Sequence, residues 1–187
     1  MVEKQDIRKK LLQKRNSLTE EQCKKYSKMI SDQLFSLEQY KKADILLIYA
    51  SYQNEASTYQ IIESALSDRK RVFCPKVLGP GIMEFYEINS LKDIIHGYKN
   101  IPEPFTTDQP YLHITGSNAL MVMPLVGYDS DRNRLGYGGG FYDRYLQKNP
   151  TLNRVALGFE CQKYEKEIPV SETDYRPDLI ITEKTVF

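Results

Sequence analysis

Between Asp131 and Leu146 the sequence reads DRNRLGYGGGFYDRYL, and four of the chain's ten glycines fall at 136, 138, 139 and 140. Glycine at that density marks either a hinge or backbone that must come very close to something. A glycine run leading from a strand into a helix suits a phosphate. No Cβ obstructs the amides, and the first helical turn offers unpaired N–H groups at the positive end of the helix dipole. Arg132 and Arg134 add positive charge just upstream, which reads as mobile. The stretch is not a P-loop, because no G-x-x-x-x-G-K-[ST] occurs, and it lacks the spacing of the dinucleotide fingerprint. From these residues alone, a tight strand–helix connection with left-handed glycines is an equal alternative.

The other groups able to do chemistry are scattered. Asp143 falls in the first turn after the glycines, where a carboxylate also simply favours the dipole, and Asp174 in SETDYRPD also reads as a turn residue ahead of Pro177. Glu55 follows the apolar run ILLIYA, and ligands of open parallel sheets bind beyond the carboxyl ends of strands. A charge near a helix start around Ser57 is its plainer reading. Lys4 and Arg8 lie one helical turn apart and could belong, with Lys9, Lys10, Lys14 and Arg15, to a solvated basic face. Phe141 and Tyr145 are four apart, as are Tyr142 and Leu146, so some of these rings pack the helix. Tyr145 is assigned to the core.

The elements that must hold these groups follow from periodicity. The first 40 residues carry two apolar stripes at helical spacing, separated by SLTEEQ, in which Ser17 and Glu20 fit a capping box. Then ILLIYA (Ile45–Ala50), helical TYQIIESAL and β-rich RVFCPKV (Arg71–Val77) form a βαβ unit, and GPG before IMEFYEI (Ile82–Ile88) predicts a hairpin extension. NIPEPFTTDQP reads as an extended surface connection. ALMVMPLV (Ala119–Val126) precedes the glycine loop, GFYDRYLQK resumes a helix, and RVALGFE and LIITE add buried strands. Continuous apolar strands alternating with helices predict a three-layer α/β/α fold with a mostly parallel central sheet. One domain over residues 1–187 is expected.

Composition narrows the function. With 26 basic and 25 acidic residues and a formal charge of +1, the chain is a poor nucleic-acid binder. Apolar runs fall far short of the roughly 20 residues that span a bilayer, and the charged start has no signal-peptide core, so a cytoplasmic protein is expected. Three cysteines outside any C-x-x-C and two histidines predict neither a disulfide framework nor a zinc site.

Arg134 to Asp143 match without a gap the pattern R-L-G-x-G-x-G-[YF]-Y-D, and the chain thereby resembles the 5-formyltetrahydrofolate cyclo-ligase (methenyltetrahydrofolate synthetase) family. Further family landmarks follow in order: Lys4-x-x-x-Arg8, YASYQNE ending in Glu55, Pro75–Lys76, NIPEP at Asn100–Pro104, and ETDYRPDLIIT. The resemblance implies a NagB/RpiA/CoA-transferase-like α/β/α fold. It also implies ATP- and magnesium-dependent conversion of 5-formyltetrahydrofolate to 5,10-methenyltetrahydrofolate, with ADP and phosphate released and no protein nucleophile. It places ATP on Lys4, Arg8, Arg134, Leu135, Gly136, Tyr137, Gly138, Gly139, Gly140, Phe141 and Tyr142, and the folate on Ala50, Glu55, Tyr137 and Phe141. Magnesium falls to Asp143 and Asp174, with Glu55, Arg134 and Tyr142 positioning the reactants. Asp178 is a rival metal ligand that better suits the strand entrance, and Lys76 could meet phosphate or the folate tail. Some family members carry Arg and Lys where this chain has Tyr137 and Gly139, which removes two charges. A non-catalytic folate or nucleotide binder and a sugar-phosphate isomerase on a related scaffold are the alternatives. No protein partner is indicated.

Overall fold

The computed structural model describes residues 3–97, 100–105, 109–111 and 118–187. Helix α1 (Lys4–Asn16) buries Ile7, Leu11 and Arg15, spaced four apart along one face. Helix α2 (Glu20–Ser36) starts at a capping box, but its members are Thr19 and Gln22 rather than Ser17 and Glu20. Thr19 Oγ1 accepts from the Gln22 amide, and Gln22 Oε1 accepts from the Thr19 amide at 2.9 Å. Ser17 instead closes α1, its hydroxyl donating to the Lys14 carbonyl. Extended backbone at Leu37 then breaks the second stripe before a short α3 (Glu38–Lys42).

The alternation expected of the middle region is present. Strand β1 (Ile45–Ile48), helix α4 (Tyr59–Ser67) and strand β2 (Arg71–Gly79) form the βαβ unit, and β2 turns back into β3 (Ile82–Ile88) as an antiparallel hairpin. Strands β4 (Ile94–His96) and β5 (Pro102–Pro104) make a small antiparallel ladder, so NIPEP is not merely a surface connection: Pro102, Glu103 and Pro104 are buried. Thr106, Thr107 and Asp108 of that stretch lie outside the described residues, as does His113. After β6 (Ala119–Pro124) the chain does not pass directly to the glycines. A two-rung ladder of β7 (Gly127–Tyr128) and β8 (Arg134–Leu135) intervenes, and only then come the glycine loop and α5 (Phe141–Lys148). Strands β9 (Asn153–Leu157) and β10 (Leu179–Ile181) follow.

The six-stranded sheet runs β10-β9-β6-β1-β2-β3 and is parallel except for β3. Alternation along each strand splits the core in two. Leu46, Ile48, Val72 and Val122 pack under α2, α3 and α4, while Ile45, Leu47, Phe73 and Met121 face Tyr145 and Leu146 of α5. Both faces of the sheet are thus covered, which explains why the strands read as unbroken apolar runs. The chain moves from β1 to β2 in one direction and from β6 to β9 in the other, so the β1–β6 boundary is a topological switch point. No helix among the described residues is long and apolar enough to cross a membrane.

Candidate active site

A cleft of about 750 Å³ opens at the carboxyl ends of β1 and β6, within the size range of small-molecule sites. It gathers residues from distant parts of the sequence: Lys4 and Arg8 of α1, Ala50 and Glu55 after β1, Arg134 to Asp143, and Asp174. Every residue assigned to the site in the sequence therefore lines one cavity.

The glycine loop forms one wall. Gly138 and Gly140 have φ of 97° and 64°, conformations in which a Cβ is strained, and Gly140 is the N-cap of α5. Two guanidinium groups hold the loop's carbonyls. Arg8 Nε donates to Gly136 O at 2.7 Å; Arg144 donates to Gly139 O and, at 2.8 Å, to Gly81 O in the β2–β3 turn. In a planar trans peptide the next N–H points away from the carbonyl, so these bonds also set the direction of the Tyr137 and Gly140 amides. The first amides of α5 have no preceding carbonyl to bond.

Both aspartates sit beside cations. Asp143 Oδ1 accepts from Arg134 Nη2 and from the Tyr175 amide, each at 3.1 Å. Arg134 is not the mobile charge the sequence suggests: its side chain is 5% exposed, bonded to Pro124 O, and stacked over the Tyr142 ring. Asp174 pairs with Lys4 and accepts from the Ser171 amide. Partial burial works against the charge on Asp174, but Lys4 and Ser171 outweigh it and hold the carboxyl below its usual range. The segment bearing Asp174 is anchored through buried Asp129, which accepts from the Ile168 amide and from Asn133, while Arg176 donates to Asn133 Oδ1 at 2.8 Å. Among the described residues no cluster of three or more His, Cys, Asp or Glu could hold a metal by itself. Magnesium commonly takes one or two carboxylates and completes its shell with water and phosphate. A carboxylate has about four acceptor positions, of which these bonds occupy only part, so Asp143 and Asp174 fit a magnesium–phosphate ion.

A second part of the lining is built around Glu55. The chain from Tyr49 to Thr58 is stitched to itself: Thr58 Oγ1 donates to Tyr49 O at 2.6 Å and accepts from the Ser51 amide, and Tyr49 Oη donates to Ala56 O. Glu55 Oε2 accepts from the Tyr52 amide at 2.8 Å and Oε1 from Tyr137 Oη at 2.6 Å. Glu55 thus lies ahead of α4, which begins at Tyr59, and serves the cleft rather than the helix end. Burial raises its pKa, against the pull of Tyr137, the Tyr52 amide and Arg15. Phe141 lines the cleft under the Arg144 guanidinium, whereas Tyr145 is core, packed on Phe85. Asp178 accepts from the Arg154 amide at the strand entrance, and the Lys76 ammonium lies over the Tyr86 ring.

The chain matches the family described as 5-formyltetrahydrofolate cyclo-ligase over residues 1–183. The protein belongs to this family. The cyclo-ligase of Escherichia coli (strain K12) is 29% identical over 94% of this chain and 97% of its own length, and that of Haemophilus influenzae is 31% identical over 91% and 92%. The NMR structure of Aquifex aeolicus 5,10-methenyltetrahydrofolate synthetase superposes with a TM-score of 0.82 at 29% identity, covering 98% of this chain and 91% of that one. Within this cyclo-ligase family chain the three-layer fold follows the resemblance, and beside the cleft a further residue departs from the sequence-based expectation. Arg15, read as part of a solvated basic face, is 2% exposed and donates to Tyr137 Oη at 2.7 Å. The signal was present: Ile7, Leu11 and Arg15 share one stripe. Glu103 and Met83 also line the cleft without having been singled out.

Proposed function

We propose that the protein converts 5-formyltetrahydrofolate to 5,10-methenyltetrahydrofolate at this cleft, consuming ATP with magnesium and releasing ADP and phosphate. The observation that carries this reading is that one cleft of a cyclo-ligase family chain gathers two unlike sets of groups. A glycine loop flanked by Lys4 and Arg8 shares it with a carboxylate held at both oxygens, one of them by the loop's own Tyr137.

The formyl oxygen of a tertiary amide is a poor leaving group. Transfer of the γ-phosphoryl group to that oxygen breaks the terminal phosphoanhydride bond, releases ADP and leaves an iminium carbon bearing phosphate. The substrate's own N10 then attacks this carbon, its N–H proton is lost to solvent, and the C–O bond breaks as phosphate departs. The carbon ends in the methenyl bridge without bonding to the protein. What the chain supplies is position and charge. On this reading the loop amides and α5 receive the phosphates, with Lys4 and Arg8 nearby and Arg134 holding Asp143. Magnesium on Asp143 and Asp174 would neutralise charge on the transferring phosphoryl group. Glu55 keeps a second lone pair on each oxygen, enough to accept two parallel N–H bonds from the 2-amino-4-oxo pterin ring, and Phe141 and the Ala50 backbone flank the folate.

The whole chain acts as one domain on this reading, since Lys4 and Asp174 come from opposite ends of the sequence, and a cytoplasmic setting suits both substrates. Release of ADP by the purified protein should depend strictly on 5-formyltetrahydrofolate. ATP hydrolysis indifferent to the folate, or folate binding without turnover, would overturn the reading.

A further inference from the structure

Arg15 is a buried cation with no carboxylate within ion-pair distance among the described residues. A guanidinium is always charged and can only donate, and burying it without a reason is costly. Its Nη1 donates to Tyr137 Oη, its Cζ lies 5.7 Å from the Tyr137 ring centre, and its Nε has no partner. Because the phenol oxygen accepts from Arg15, its own proton is directed to Glu55 Oε1 at 2.6 Å. The chain guanidinium, phenol, carboxylate therefore runs in one direction only.

We propose that Arg15 is a positioning residue for the folate: acting through Tyr137, it aims the phenol proton at Glu55 and holds that carboxylate in place for the pterin. The inference rests on the proposed reaction. Besides its own burial, the groups that act on Glu55 are Tyr137 of the glycine loop, the Tyr52 amide and Arg15 of α1, and its charge acts in turn on the phenols of Tyr49 after β1, Tyr59 of α4 and Tyr142 of α5. The phenols are neutral near neutral pH, and burial raises those of Tyr49, Tyr137 and Tyr142 further. Arg15 is therefore the group in this set that brings positive charge to offset the burial of Glu55. Arg15 is not among the residues lining the cleft, and the bonds from the Tyr52 amide and Tyr137 leave each Glu55 oxygen a lone pair for the ligand.

The test is Arg15→Met, which keeps the length of the side chain and removes the charge. Replacing a buried ion by an apolar group of similar volume is often neutral or stabilising. Thermal stability should hold or rise, while KM for 5-formyltetrahydrofolate increases about tenfold and KM for ATP stays put. The acid limb of kcat/KM for the folate should move to higher pH, because Glu55 loses the charge that opposes its protonation. Adding Glu55→Gln to Arg15→Met should cost no more than Glu55→Gln alone. Tyr137→Phe, which keeps ring and guanidinium but cuts the link, should raise folate KM in the same direction and keeps the idea testable if Arg15→Met misfolds. A folded Arg15→Met or Tyr137→Phe protein with wild-type folate KM and an unmoved acid limb would overturn the proposal, as would equal losses toward ATP and folate. Absence of turnover in the wild type would refute the proposed reaction instead.

Discussion

On the side of the cleft proposed for phosphate, Lys4 and Asp174 pair with side chains 31% and 26% exposed and Arg8 rests on a backbone carbonyl, while Arg134, 5% exposed, holds Asp143. On the folate side, Glu55 is joined through Tyr137 to a guanidinium that is 2% exposed. A partly exposed pair such as Lys4–Asp174 contributes little, about 0–1 kcal/mol if fully exposed, so on the proposed reading its partners would exchange for phosphate and metal at small cost. In the second arrangement only the guanidinium is buried: Tyr137 is 52% exposed, but its phenol is fixed by bonds to Arg15 and Glu55, and such charge-assisted bonds preorganise the carboxylate. The difference suggests how one cleft serves two ligands. On the proposed reading, ATP and its metal would be met at Lys4 and Asp174 by groups that change partners, and the folate by a carboxylate already bonded at both oxygens.

Four substitutions separate the two walls. Asp143→Asn should have the largest effect, lowering kcat about a hundredfold or more, since it weakens the electrostatic stabilisation of the transferring phosphoryl group. Folding should survive, because the amide oxygen can still accept from Arg134 and Tyr175. Circular dichroism and single-turnover ADP release would check both parts. Gly138→Val places a β-branched side chain at φ 97° and crowds Arg8. Strain of roughly 1–3 kcal/mol, if relieved only by displacing the loop, corresponds to a loss of about 5- to 150-fold in ATP affinity, with folate binding preserved. Glu55→Gln should act on the other wall, raising folate KM about tenfold with ATP KM unchanged. It should also abolish the acid limb of the folate pH profile. The sign follows from the raised pKa of Glu55: as pH falls through it, the wild-type carboxylate is neutralised and the folate is held less well. Lys4→Ala should be mildest, costing about fivefold in ATP KM, consistent with a half-exposed pair. A phosphate-side change that moved folate KM as strongly as ATP KM would break the distinction between the walls.

The sequence makes the scaffold plain because its strands are buried on both faces. ILLI and ALMVMP are unbroken apolar runs, RVFCPKV is β-rich with a buried Val72–Cys74, and each lies in a strand of the sheet. The glycine loop is equally visible, as only Gly138 and Gly140 occupy positive φ in that turn. What stayed hidden depends on tertiary partners. The β7–β8 ladder has two residues on each side, too short for periodicity to register. Thr19, not Ser17, caps α2, because the box needs Gln22 to reach back three residues, and both readings satisfy the local pattern. Arg15 sits among lysines that are solvated, and its burial follows from Tyr137, which lies 122 positions away.

Absorbance in the near ultraviolet tests the proposed function most directly. Purified protein is mixed with 5-formyltetrahydrofolate and magnesium, with and without ATP. Growth of the methenyl product's band only in the presence of ATP is the expected result. Folded protein that binds both ligands yet produces no band would contradict it.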